Sequence, residues 1–168
     1  IGGQFLEYVI ATSGMDAAKP FYDEAVRVGF AVIEVSDNTV PLTSEQRHTL
    51  IRGAIEAGLG VFGEVGSKDA ATDPEVLVRQ AQESFEAGAE LVLVEAAEVV
   101  DNGVVRQDMV AALRPGLDLD RTLFELPGPW ISGVSLHDVY SMKKFLIHEF
   151  GPDVNLANLK ADDVIDTE

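Results

Sequence analysis

The chain has 168 residues, with 12 Lys and Arg against 29 Asp and Glu, a formal net charge of -17, 46% apolar residues and no cysteine. This length and apolar share build one globular domain with a sizeable core, which excludes a disordered chain. The missing cysteine excludes a disulfide scaffold, a thiolate zinc site and a cysteine nucleophile.

In chain order, Ile1-Gly2-Gly3 leads into an apolar run, and Phe5 to Thr12 reads as a first strand. A helical segment then stops at Arg27-Val28-Gly29, because glycine just past a helix adopts the left-handed C-cap conformation at little cost. Ala31 to Glu34 is the next strand. Leu50, Ile51, Ala54 and Ile55 share one face of a helix that Thr43 or Ser44 can cap, ending at Glu56-Ala57-Gly58. Val61 to Glu64 is a strand, and Pro74 opens a helix carrying Val76, Leu77, Ala81 and Phe85 that stops at Gly88. Val92 to Glu95 and Thr122 to Glu125 are strands flanking a helix with Val110, Ala111 and Leu113. A last helix carries Val139, Met142, Phe145 and Leu146, and Val154 to Leu159 is the final strand.

Four apolar runs thus end in glutamate, at Glu34, Glu64, Glu95 and Glu125, with spacings of 30, 31 and 30 residues. Strands alternating with helices at this pitch make right-handed βαβ units and about six parallel strands. An open doubly wound sheet fits that count. A closed (β/α)8 barrel usually needs about 250 residues, yet an acid at the same end of successive strands favours it, because the C-terminal rim is where such barrels place their active sites.

If the sheet closes, Glu34, Asp37, Glu64, Glu95 and Glu125 converge on one rim. Carboxylates gathered at strand ends need a cation or hydrogen-bond donors, so they suggest a hard divalent ion such as Mg²⁺; the alternative is that they bind loop backbone or pair with Arg and Lys. Lys68, in Gly66-Ser67-Lys68-Asp69, is placed to bind an anion, or else pairs with a neighbouring Asp. Asn155 and Asn158 near the last strand could orient a substrate or satisfy loop backbone. His48, His137 and His148 show no metal-ligand spacing and read as structural, and there is neither a Gly-x-Ser-x-Gly elbow nor a Walker loop.

The charge argues against nucleic-acid and membrane-surface roles and is compatible with a halophilic, acidic protein kept soluble in concentrated salt. No stretch approaches the about 20 apolar residues of a membrane span, and the first residues lack a signal peptide, so the reading is cytoplasmic. The apolar stripe Met142, Phe145, Leu146 and Phe150, with Tyr140 and Ile147 off it, points either to a homo-oligomer or to cover by a further C-terminal helix.

Three stretches, Ile33-Glu34-Val35-Ser36-Asp37-Asn38-Thr39, Gly63-Glu64-Val65-Gly66-Ser67-Lys68-Asp69 and Gly151-Pro152-Asp153-Val154-Asn155-Leu156-Ala157-Asn158, resemble the phosphosulfolactate synthase family's E-I-S-D-G-T, E-V-G-K-K-D and G-P-N-V-N-L-G-N. Gly2-Gly3 and Phe124-Glu125-Leu126-Pro127 also resemble family stretches, so the likeness runs in order along nearly the whole chain. The resemblance implies a TIM (β/α)8 barrel that adds sulfite to phosphoenolpyruvate with Mg²⁺, giving (2R)-phospho-3-sulfolactate on a route to coenzyme M. It implies Lys68, Glu64 and Glu95 in catalysis, Ser36, Lys68, Asn155 and Asn158 in binding the small anionic substrates, and Glu34, Asp37, Glu64 and Glu125 toward the metal.

Against that pattern, residues 1–168 read as a single barrel domain lacking two N-terminal βα units and a final helix. In Glu95-Ala96-Ala97-Glu98, Ala97 stands where the family has arginine, and Trp130 and Ile131 lie in an altered loop. These departures leave two further readings open: a non-catalytic relative acting through protein binding in stress tolerance, and a related enzyme with a different substrate.

Overall fold

The computed structural model describes residues 1–66, 72–101, 104–128 and 133–163. Its helices are α1 (Gly3–Ser13), α2 (Ala18–Val28), α3 (Ser44–Glu56), α4 (Pro74–Ala87), α5 (Gln107–Gly116) and α6 (Leu136–Phe150). Its strands are β1 (Val32–Val35), β2 (Gly60–Val65), β3 (Leu91–Glu95), β4 (Val100–Asp101), β5 (Val104–Val105), β6 (Thr122–Glu125) and β7 (Asn155–Ala157).

Five strands form one sheet in the order β1-β2-β3-β6-β7, every neighbouring pair parallel, and β4 and β5 make a small antiparallel hairpin between β3 and α5. Helices carry the chain from each long strand back to the start of the next, the repeating unit of a (β/α) barrel. The expected helix signals are present. Thr43 and Gln46 form a reciprocal capping box on α3, Asp73 caps α4 ahead of Pro74, and Gly29 and Gly88 end α2 and α4 in the left-handed conformation.

The first segment departs from the sequence expectation. Phe5 to Thr12 is helical, inside α1, so the described residues hold five parallel strands rather than six. The reason is the i,i+4 pair Leu6 and Ile10, both buried, with Glu7 turned inward beside them while Phe5 and Tyr8 face outward; a strand would have put Leu6 and Ile10 on the same face as outward Tyr8.

The ladder sorts side chains by parity. Residues such as Ile33, Val35, Val61, Val92, Val94 and Phe124 point to the helices and are fully buried, in one cluster with α1, α2 and α3 and another with α4, α5 and α6. Each such side chain contributes about 1.5–3 kcal/mol on transfer from water. The α6 stripe Met142, Phe145, Leu146 and Phe150 belongs to the second cluster, Phe124 and Phe150 lying 4.5 Å apart between ring centres. Leu146 of that stripe is fully buried, and Met142, Phe145 and Phe150 are half-buried against the cluster. No helix among the described residues is long and apolar enough to cross a membrane.

Candidate active site

The opposite parity carries the acids. Parallel pairing sets Glu34 opposite Phe62, Glu64 opposite Leu93 and Glu95 opposite Glu125. Paired residues of a parallel ladder share a face and alternate residues repeat it, so all four glutamates stand on the face away from the helices, at the C-terminal ends of their strands. They line a cavity of about 530 Å³ together with Glu7, Asn38 and Asn158.

Within it, one carboxylate oxygen each from Glu64, Glu95 and Glu125 come within 4.8 Å of one another. Glu64 and Glu95 are buried and Glu125 is half-buried. Three carboxylates this close raise each other's energy unless positive charge or protons intervene, and three hard oxygen donors from three strands suit Mg²⁺ or a similar divalent ion. Amide donors orient two of them: Asn38 Nδ2 donates to Glu64 Oε1 at 2.9 Å, and Asn158 Nδ2 donates to Glu125 Oε1 at 2.8 Å and to the Leu126 carbonyl. Asn158 holds φ at 63°, a left-handed conformation that asparagine tolerates better than most residues.

Glu34 faces the same cavity but is turned aside, its Oε1 accepting the Gly3 backbone N–H at 2.9 Å. Only glycine fits at position 3, because an added Cβ would lie 2.0 Å from Ser36 Oγ and 3.0 Å from Glu34 Oε1. Asp37 is not part of the acid cluster. It pairs with Arg47, a buried guanidinium on α3 at 2.6 Å that also donates to the Glu64 backbone carbonyl. Burial pushes the Asp37 carboxyl above its usual range, with the Glu7 charge adding to the rise, and Arg47 offsets only part of it.

Two expected substrate-binding residues are otherwise engaged. The Ser36 hydroxyl is buried and donates to Glu7. Asn155 opens β7, at the end of the sheet opposite the glutamates, and donates to the carbonyls of Leu119, Asp120 and Thr122. It fastens the approach to β6 and does not reach the cavity. Lys68, Trp130 and Ile131 lie outside the described residues. Ala97 is exposed after β3, and the nearby Arg106 is committed to Glu98 at 3.2 Å and to the Thr72 carbonyl at 2.9 Å.

The sequence reading missed Glu7. On α1 and 2% exposed, it accepts from Ser36, Asn38, Thr39 and Val40. Burial alone would raise its carboxyl, but the donors from Ser36, Thr39 and Val40 outweigh that and hold it below the usual glutamate range. Its signal was its place one residue after Leu6 and three before Ile10, which on a helix points it inward.

The model of the family described as (2R)-phospho-3-sulfolactate synthase (ComA) matches residues 1–168. The chain is 32% identical over 160 residues to a phosphosulfolactate synthase of Methanothermobacter thermautotrophicus, covering 89% of this chain and 58% of that protein. It is 30% identical over 182 residues to the Bacillus subtilis phosphosulfolactate synthase, covering 99% of this chain and 65% of that one. To the protein HEAT-STRESS-ASSOCIATED 32 of Arabidopsis thaliana it is 24% identical over 179 residues, covering 92% and 58%. Among solved structures, a phosphonopyruvate hydrolase in complex with oxalate and Mg²⁺ superposes with a TM-score of 0.51 at 16% identity, over 76% of this chain and 46% of that one. The chain thus spans 58% to 65% of the length of these curated relatives. It belongs to the phosphosulfolactate synthase family.

Proposed function

We propose that the protein adds sulfite to phosphoenolpyruvate, giving (2R)-phospho-3-sulfolactate, at the rim built by Glu64, Glu95 and Glu125. The observation that carries this reading is the approach of those three carboxylates at the mouth of a cavity, in a chain of this family.

Glu64, Glu95 and Glu125 would hold a divalent ion, most naturally Mg²⁺, with Glu34 beside them. When bound, that ion supplies positive charge that offsets the anionic substrate and the charge developing on it. Asn38 and Asn158 fix the orientation of two of the acids. In the reaction the sulfite sulfur forms a bond to the methylene carbon of phosphoenolpyruvate, and the double-bond pair shifts to the carbon bearing the phosphate ester, delocalised into the adjacent carboxylate. A proton then adds at that carbon, with no group leaving. Lys68 is the residue this reading assigns both to substrate charge and to that proton.

The test incubates the full chain with phosphoenolpyruvate, sulfite and Mg²⁺ and follows the phosphate ester by ³¹P NMR. Product is expected, with loss of at least about 100-fold in rate in Lys68→Ala and in Glu95→Gln, in line with general acid and charge-stabilising contributions. No product with any divalent ion would defeat the reading. Ala97, where the family has arginine, favours a second reading, a relative that works by binding another protein. Calorimetric binding of phosphoenolpyruvate that Lys68→Ala abolishes counts against it.

A further inference from the structure

One carboxylate organises the turn after β1. Glu7 Oε1 accepts the Ser36 hydroxyl and the Asn38 N–H at 3.3 Å, and Oε2 accepts the Thr39 N–H at 2.5 Å, the Thr39 hydroxyl and the Val40 N–H at 3.2 Å. A carboxylate offers about four lone-pair sites, so this set of donors saturates it. Although Glu7 lines the cavity, it has no acceptor left for an ion or a substrate. Leu6 and Ile10 also dock α1 into the core.

What Glu7 fixes is the backbone that presents Asn38, and the Asn38 amide is the group that sits on Glu64 Oε1 at 2.9 Å. With residues 38 to 40 held through their own N–H groups, the amide is aimed before any ion arrives. We infer that Glu7 is a positioning residue, which clamps the Ser36–Val40 turn so that Asn38 orients Glu64 for ion binding. This rests on the ion site proposed above. Partners that orient metal-binding side chains are worth about 10–100-fold in affinity or activity, which sets the scale to look for.

The experiment measures Mg²⁺ affinity by calorimetry, without substrate, for the full chain, Glu7→Gln, Asn38→Ala and the double variant, and reads amide hydrogen exchange at Thr39 and Val40 in the ion-free proteins. Glu7→Gln sets an amide donor against N–H donors and breaks the clamp. Each single change is expected to weaken Mg²⁺ binding about tenfold or more, and the pair no more than the worse single change, because both act through one contact. Exchange protection at Thr39 and Val40 is expected to fall in Glu7→Gln and to persist in Asn38→Ala, an order of dependence that general destabilisation would not produce. If Glu7→Gln does not fold, Ser36→Ala with Thr39→Val removes two of the hydroxyl donors without touching α1 and is compared with Asn38→Ala in the same way. Additive losses, or unchanged affinity in Glu7→Gln, overturn this inference alone. A wild-type chain that binds no divalent ion overturns the ion site and this inference with it.

Discussion

Arg47 reaches from α3 to Asp37 in the turn after β1 at 2.6 Å and, with its other terminal nitrogen, to the backbone carbonyl of Glu64 at 3.4 Å. A single buried guanidinium therefore links the loop that carries Asn38 to the strand end that carries Glu64.

Arg47→Met should destabilise the fold by about 3 kcal/mol, the low end for breaking a buried pair, because Asp37 keeps some exposure. Urea unfolding checks this, and the companion Arg47→Met/Asp37→Asn should recover most of the loss. Equal instability of the two variants would show that the guanidinium works through packing or the Glu64 carbonyl.

Gly3→Ala drives a methyl into Ser36 Oγ, 2.0 Å from where the new carbon would sit, and toward the Glu34 carboxylate. The chain must shift α1 or expel Ser36 from Glu7, a cost of about 1–3 kcal/mol for overpacking. Denaturant midpoints measure it. A neutral change would mean that α1 is free to move away from the turn after β1.

Glu7 links stability to acid. Its carboxyl is held below the ordinary value of 4.5, so the folded chain binds fewer protons there than the unfolded one. The stabilisation is complete above that value and is lost as pH falls through the depressed folded one. Thermal midpoints followed downward from pH 6 should drop less steeply in Glu7→Gln than in the wild type, and parallel curves would place the acid sensitivity elsewhere.

Much of this architecture was legible because it repeats. The glycine stops after α2 and α4, the Thr43 cap and the glutamate spacing all express local rules, and the pairing of Glu95 with Glu125 follows from them. Two kinds of information were not local. Phe5 to Thr12 is rich enough in apolar residues for either a strand or a helix, and only the burial of Leu6 and Ile10 together decides between them. The role of each polar side chain at the rim depends on which partner arrives from another element. Asp37 is captured by Arg47, Ser36 by Glu7, and Asn155 by the carbonyls ahead of β6, whereas Asn38 and Asn158, with the same amide chemistry, meet carboxylates.

The three clustered acids come from three neighbouring strands of the sheet, and Asn38 and Asn158 donate to two of them. Like charges 4 Å apart repel by about 4 kcal/mol at an effective dielectric near 20, so any two of these acids that are ionised together oppose the closeness the ladder imposes. The apolar face of β2, β3 and β6 favours bringing these strands side by side, and charge on the acids works against it at one end. On the proposed reading, a cation at that end would relieve this opposition and leave the apolar packing behind the strands to hold the mouth together.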